Sequence, residues 1–198
     1  VQGFLKVPFQ VRSLQADLLS ISGHKVHGVK GVGALYQKNG IHLHPTFHGG
    51  SQERGLRPGT ENVPAIAAFG AAVQTYGSTV RERYQAVTEK KAYLLERLQE
   101  LPNCKIHSVE DASPYIISFS LRPYRSEILL HFLEKREIFV SSGSACSKGK
   151  NSGVPVLFGA TEAEADSILR VSLSAETPNT ALDALVSSLQ EAAKTLLY

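Results

Sequence analysis

The stretch Ser20-Ile21-Ser22-Gly23-His24-Lys25-Val26-His27-Gly28-Val29-Lys30-Gly31 decides how this chain is read. Asp17-Leu18-Leu19 leads into it and Val32-Gly33-Ala34-Leu35-Tyr36 follows it. Short apolar runs cut sharply by glycine predict a buried sheet with functional loops at the strand ends. A strand therefore delivers Ser22, His24 and Lys25 into a glycine-punctuated loop. A Lys in that position can act as a Schiff-base nucleophile, with a neutral His beside it and a hydroxyl free for a phosphate. A solvated Lys beside an ordinary loop His is the alternative reading.

Three further segments carry chemistry. In Ser141-Ser142-Gly143-Ser144-Ala145-Cys146-Ser147-Lys148-Gly149-Lys150, Cys146 has no bulky apolar neighbour to bury it. Lys148 and Lys150 favour its thiolate, and small flanking residues suit a nucleophile that travels. The alternative is a surface loop with an incidental Cys. Arg170, in Ile168-Leu169-Arg170-Val171-Ser172-Leu173, is a lone cation in an apolar strand. It must pair with an anion: a substrate carboxylate, which suits its planar fork, or a structural acid. The run from His48 to Asn62 frees backbone amides through its glycines and adds Thr60. It suits a phosphate, a carboxylate bound by its arginines, or a plain strand-to-helix connection.

Other patterns point nowhere. His42-x-His44 with His48 puts imidazoles at strand spacing, but no further ligand follows and Pro45 interrupts, so no metal site is expected. Gly28 to Gly33 lacks the order of a dinucleotide fingerprint. Cys104, in Pro102-Asn103-Cys104-Lys105, reads as structural.

The 198 residues are 42% apolar and 20% charged, which excludes disordered and collagen-like classes. A net charge of +3 is too small to argue for direct nucleic-acid binding. No apolar run is long enough for a membrane span. Two cysteines make no disulfide framework, so a reducing, cytoplasmic setting is expected. The chain begins at Val1 and has no Met, which marks it as processed or as a piece of something longer.

Pro64 opens a helix through Val73. From Ser78 to Leu101 a charged, heptad-like helix carries Tyr84, Val87, Ala92, Leu94, Leu95 and Leu98 as its apolar stripe. A domain boundary is expected there, giving residues 1–77 and 78–198. In the second part, Tyr115–Leu121 alternates as a strand, and Ser126 is expected to cap a helix through Leu133. Ile138–Val140 and Ile168–Leu173 read as strands, and Thr180–Leu197 as a helix with Leu182, Leu185, Leu189, Ala192 and Leu196 on one face. The class is α/β or α+β in two parts.

These motifs, in this order, resemble the C-terminal half of NifS/IscS-like cysteine desulfurases in the class V aminotransferase group. The resemblance runs from Val1-Gln2 through Ser-Gly-His-Lys (22–25), the Gly49–Asn62 loop, Ser-Ser-Gly-Ser-Ala-Cys (141–146) and Arg-Val-Ser-Leu (170–173). The Ser-Gly-Ser-Ala-Cys form is similar to the long-loop branch of that family.

The resemblance implies an α/β PLP-transferase fold of type I. Residues 1–77 would be the end of the large PLP-binding domain, and residues 78–198 the small domain. It implies that Lys25 carries pyridoxal 5′-phosphate as a Schiff base. Gln2 would bond the cofactor's phenolic oxygen, while Ser22 and His24 hold its phosphate with Thr60 of a homodimer partner. Arg170 would grip the carboxylate of L-cysteine, and Cys146 would take its sulfur as a persulfide. The remaining cofactor contacts would come from a missing N-terminal half or a companion chain. A scaffold or a tRNA-thiolation protein would accept the sulfur. The alternatives are another class V enzyme, either a selenocysteine lyase or an aminotransferase, and an inactive fragment that only dimerises.

Overall fold

Leu18–Ser22 forms β1 and Gly33–Gln37 forms β2, paired antiparallel from Leu18↔Gln37 to Ser22↔Gly33. This is a computed structural model, and it describes residues 1–142, 154–157 and 159–196. The chain divides into two compact units, Val1–Tyr84 and Gln85–Tyr198.

In the first unit the expected strands form, but the expected burial does not. Leu18, Leu35 and Tyr36 are exposed. Among the described residues only these two strands pair in this unit, and a bare ribbon leaves much of its surface to solvent. A 3-10 turn, Gly23–Val26, follows β1 directly. Helix α1 spans Val63–Gly77; Asn62 caps it by accepting from the Ala65 N–H at 3.2 Å, and Pro64 sits in its first turn. Ala65, Phe69 and Ala72 recur on one face and are buried. Phe4 meets Phe69 edge-on, with ring centres 6.3 Å apart, which pins the start of the chain to α1.

Helix α2 spans Val80–Gln99. Its buried stripe is Val87, Lys91, Leu94 and Leu98, at helical spacing. Ala92 was expected there and is exposed instead, because a residue adjacent to Lys91 lies about 100° around the helix. Lys91 buries its stem and donates from Nζ to the Ala112 carbonyl at 2.9 Å.

The second unit is a three-stranded antiparallel sheet, β3 (Cys104–Ile106), β4 (Ile116–Leu121) and β5 (Ile168–Ser172), with β4 central. Ile117, Phe119 and Leu121 alternate into a core completed by α2, by α3 (Ser126–Glu134) and by the C-terminal helix (Asn179–Thr195). The latter buries Leu182, Leu185, Leu189 and Ala192, as its periodicity predicts. Between α3 and β5 lie the short helices α4 (Val154–Leu157) and α5 (Glu162–Ala165), so the C-terminal helix is α6.

Two local expectations are corrected. Ser126 is the first residue of α3 rather than its cap, since its N–H donates to the Asp166 carbonyl at 2.8 Å. Arg125 takes the cap position and sends its own side chain to Asp166 at 2.7 Å. Ile138–Val140 forms no strand: only Ser141 reaches the sheet, as a single bridge to Arg170, and Phe139 is exposed. One bridge at the edge of β5 provides no ladder to extend the pairing.

Candidate functional site

Ser22, His24 and Lys25 come together at the end of β1. Ser22 ends the strand, and its hydroxyl makes no capping bond to the turn that follows. Gly23 donates to the Val32 carbonyl at 2.9 Å, and its carbonyl accepts from Gly28 at 2.9 Å. A Cβ at Gly23 would stand 2.9 Å from Val32 Cγ1 and 3.3 Å from two carbonyl oxygens, so this position requires glycine. Val26 is 3% exposed and anchors the turn, on which α1 packs. His24 points outward as an exposed residue, while Lys25 is half-buried.

Lys6 is the residue that motif reading missed. Its backbone N–H and that of Val7 both donate to the Gly3 carbonyl, at 3.1 and 2.9 Å, which curls residues 3–7 into a turn. Burial pushes the Lys6 ammonium below its usual range, and the charge of Lys25 pushes it further. The turn at the start of the chain thus brings a second cation within electrostatic range of Lys25. Its one trace in the sequence is that Lys6 is the lone cation within Gly3-Phe4-Leu5-Lys6-Val7-Pro8-Phe9, which does not say what it faces.

Gln2 is exposed, just ahead of that turn. Thr60 is also exposed, between Gly59 at φ +110° and the Asn62 cap of α1. Its loop is clasped by Gln52, whose Oε1 accepts from the Gly59 N–H at 3.2 Å. Glu53 and Arg54 both take positive φ there. Gln2, Ser22, His24, Lys25 and Thr60 thus all belong to the first unit.

Arg170 belongs to the second unit. It sits in β5 opposite Ser118, and its Nε is buried without a hydrogen-bond partner among the described residues. Arg97 Nε is unbonded in the same way although its guanidinium pairs with Glu100 and Asp183, so an unbonded Nε alone does not decide between a substrate carboxylate and a structural acid. An unpartnered buried guanidinium N–H favours an arriving anion, and a carboxylate matches its fork.

Cys146 lies outside the described residues. Cys104 is half-buried in β3, and burial pushes its thiol up to about 11, which keeps it a poor nucleophile near neutral pH. Among the described residues no three His, Cys, Asp or Glu side chains gather as a metal site requires, and His42 and His44 are exposed outside the strands. No described helix is long and apolar enough to cross a membrane.

The chain matches the family model described as aminotransferase class-V over residues 1–185. It is 34% identical over 200 residues to a Clostridium botulinum protein named cysteine desulfurase IscS, covering 98% of this chain and 50% of that one. The structure of a NifS-like protein from Rickettsia africae superposes with a TM-score of 0.86 at 32% identity, over 98% of this chain and 52% of that one. A structure described as SspA in complex with cysteine matches with a TM-score of 0.67 at 32% identity, over 87% of this chain and 48% of that one. The chain spans about half the length of the curated relatives it matches. Mixed α/β in architecture and superposable on NifS-like proteins of the PLP fold-type I group, it belongs to the aminotransferase class-V family.

Proposed function

We propose that this chain is part of a PLP-dependent cysteine desulfurase, which removes sulfur from L-cysteine and releases L-alanine. The observation that carries the reading is the buried, unpartnered Nε of Arg170, in a chain whose relatives are named cysteine desulfurases. The SspA structure holds cysteine, and that supports the same substrate here.

The residues fit the cofactor by the chemistry of their donors. Ser22 offers a hydroxyl that its own turn does not use, and Lys25 a half-buried amine beside a second ammonium. In this reading Ser22, His24 and Thr60 of a homodimer partner hold the phosphate, Gln2 meets the phenolic oxygen, and Lys25 is the covalent attachment point. PLP, when bound, supplies the electron sink that makes the Cα–H and Cβ–S bonds of cysteine labile. Residues 1–77 then belong to the cofactor-binding domain and 78–198 to the small domain.

Arg170 binds the substrate carboxylate and fixes the amino acid's orientation. Lys25 takes the proton from Cα and returns it there once the sulfur has left, while Cβ gains the proton that the substrate thiol gives up, with His24 beside Lys25. The Cys146 thiolate attacks the substrate sulfur, a new S–S bond forms as the Cβ–S bond breaks, and alanine leaves. Ser141, bonded through its backbone to Arg170, precedes Cys146 by five residues. Five residues of extended chain span at most about 18 Å, so chain length limits how far that sulfur can stand from the Arg170 backbone. The persulfide then passes to an acceptor, an iron–sulfur scaffold or a tRNA-thiolation protein, in the cytoplasm.

The test is product analysis of the full-length protein with L-cysteine and a thiol reductant. Alanine and sulfide in equal amounts, lost in both Lys25→Ala and Cys146→Ala, are expected. Keto-acid turnover instead would identify an aminotransferase. Selective release of selenide from selenocysteine, independent of Cys146, would identify a selenocysteine lyase.

A further inference from the structure

The turn that carries Lys25 closes on a residue in an uncomfortable conformation. His27 follows Val26 at φ +64° and ψ 12°, the left-handed region that side chains with a Cβ rarely adopt. That conformation shapes the turn, because it lets the His27 and Gly28 N–H groups both donate to the Gly23 carbonyl. Glycine would adopt it freely; histidine, though found there more often than most residues with a Cβ, does so at some cost that a packing contact can offset.

Tyr76 holds it. The His27 and Tyr76 rings lie 4.8 Å apart between centres, tilted by 41°. Tyr76 stands in the last turn of α1, and the Arg83 guanidinium carbon lies 4.7 Å from the centre of the same ring. Val26 is already sunk in the core, so the chain just after Lys25 is fixed at two successive residues, one by burial and one by ring contact. With Gly23 tied to Val32 on the other side, little freedom is left to the backbone that aims the Lys25 amine.

We propose that Tyr76 is a positioning residue for Lys25, acting through His27 to hold the left-handed closure of the Gly23–Val26 turn. It is not among the residues placed against substrate or cofactor in the proposed function. The proposal rests on the reading of Lys25 as the reactive amine, and its test separates the two.

Amide exchange at Gly28 reports closure of the turn, and attachment of pyridoxal 5′-phosphate to Lys25, trapped with borohydride and located by peptide mass, reports its use. Both are measured on the full-length protein, with the amides of β4 as an internal record of global stability. Losing an aromatic pair changes a local opening equilibrium by roughly two- to tenfold. Gly28 exchange is expected to quicken by that factor in Tyr76→Ala and in Tyr76→Leu, which keeps an apolar body in α1. It is expected to remain at the wild-type rate in Tyr76→Phe, while the β4 amides stay unchanged in all three. In a His27→Gly background, Tyr76→Ala is expected to have no further effect, because glycine needs no support at this φ. Attachment at Lys25 is expected to slow and recover in the same pattern.

Gly28 exchange that ignores Tyr76→Ala, or that responds equally with and without His27→Gly, overturns the role of Tyr76 even if Lys25 is modified normally. Gly28 exchange that follows the expected pattern while wild-type Lys25 takes up no pyridoxal 5′-phosphate overturns the reading of Lys25, and the positioning role with it.

Discussion

The backbones of Arg170 and Ser141 bind each other in both directions: the Arg170 N–H donates to the Ser141 carbonyl at 2.6 Å, and the Ser141 N–H donates to the Arg170 carbonyl at 3.1 Å. The segment that leads to Cys146 is therefore tied to the strand residue whose own Nε is buried without a partner. If Arg170 is kept for binding at the expense of stability, two measurements on one variant should part company.

That gives the first prediction. An unpartnered buried donor costs about 1–3 kcal/mol, so Arg170→Met, which keeps the stem, is expected to leave the urea midpoint unchanged or raised. Affinity for L-cysteine is expected to fall at least tenfold, since a charge-assisted bond contributes about 1.5–3 kcal/mol. A variant that loses stability while keeping its KM would show that Arg170 is structural.

Lys6 and Lys25 give the second. Burial is the larger cause of the lowered Lys6 pKa and the Lys25 charge the smaller, so Lys25→Met is expected to raise it only part of the way to 10.5. Reductive methylation with a carbon-13 label, followed by NMR titration, reads this directly. A Lys6 signal that titrates identically in both proteins would mean the two charges do not meet.

His107 gives the third. Its Nε2 lies 2.8 Å from Ser120 Oγ, and Ser120 is wholly buried. Burial, the largest cause, lowers the His107 pKa below 6.5; Lys105 adds to this and Glu164 opposes it. A His whose folded pKa is depressed favours the folded state when neutral. That contribution is whole above the unfolded pKa of about 6.5 and is lost as pH falls through the folded value. Stability of the wild type is therefore expected to decline from pH 7.5 to 5 more steeply than that of His107→Phe. Parallel urea midpoints for the two proteins across this range would refute the assignment.

The fourth concerns α2. Leu94 is fully buried, so Leu94→Ala is expected to cost about 2–5 kcal/mol, whereas Ala92→Ser on the exposed side is expected to change stability by less than about 0.5 kcal/mol. Equal losses would restore the stripe that periodicity suggested. Equilibrium urea unfolding decides between them.

Much of the architecture was legible because local pattern and packing agree. The alternation of Ile117, Phe119 and Leu121, the spacing of Leu182, Leu185 and Leu189, and Pro64 with Asn62 at the head of α1 each satisfy a rule that needs no distant neighbour. The misreadings fell where a distant partner intervened. Asp166 took the N–H of Ser126 and turned a cap into a first helical residue. Lys91 outcompeted Ala92 for the core because its ammonium found the Ala112 carbonyl, 21 residues away. Ile138–Val140 had strand-forming residues but only one bridge to pair with.

The site divides in the same way. Residue types and spacing put forward Ser22, His24, Lys25, Thr60, Cys146 and Arg170 as candidates, each with a bland alternative beside it, and it was the order of the motifs, through the family resemblance, that gave them roles. No local pattern could have disclosed that Lys6 lies within reach of the charge on Lys25, that the Tyr76 ring meets His27 from 49 positions away, or that Arg170 has a buried N–H unpaired among the described residues. Those are facts about proximity and about the absence of water, and both arise only when segments far apart in the chain are packed together. Sequence names the groups; folding sets the distances and the dielectric that give them their chemistry.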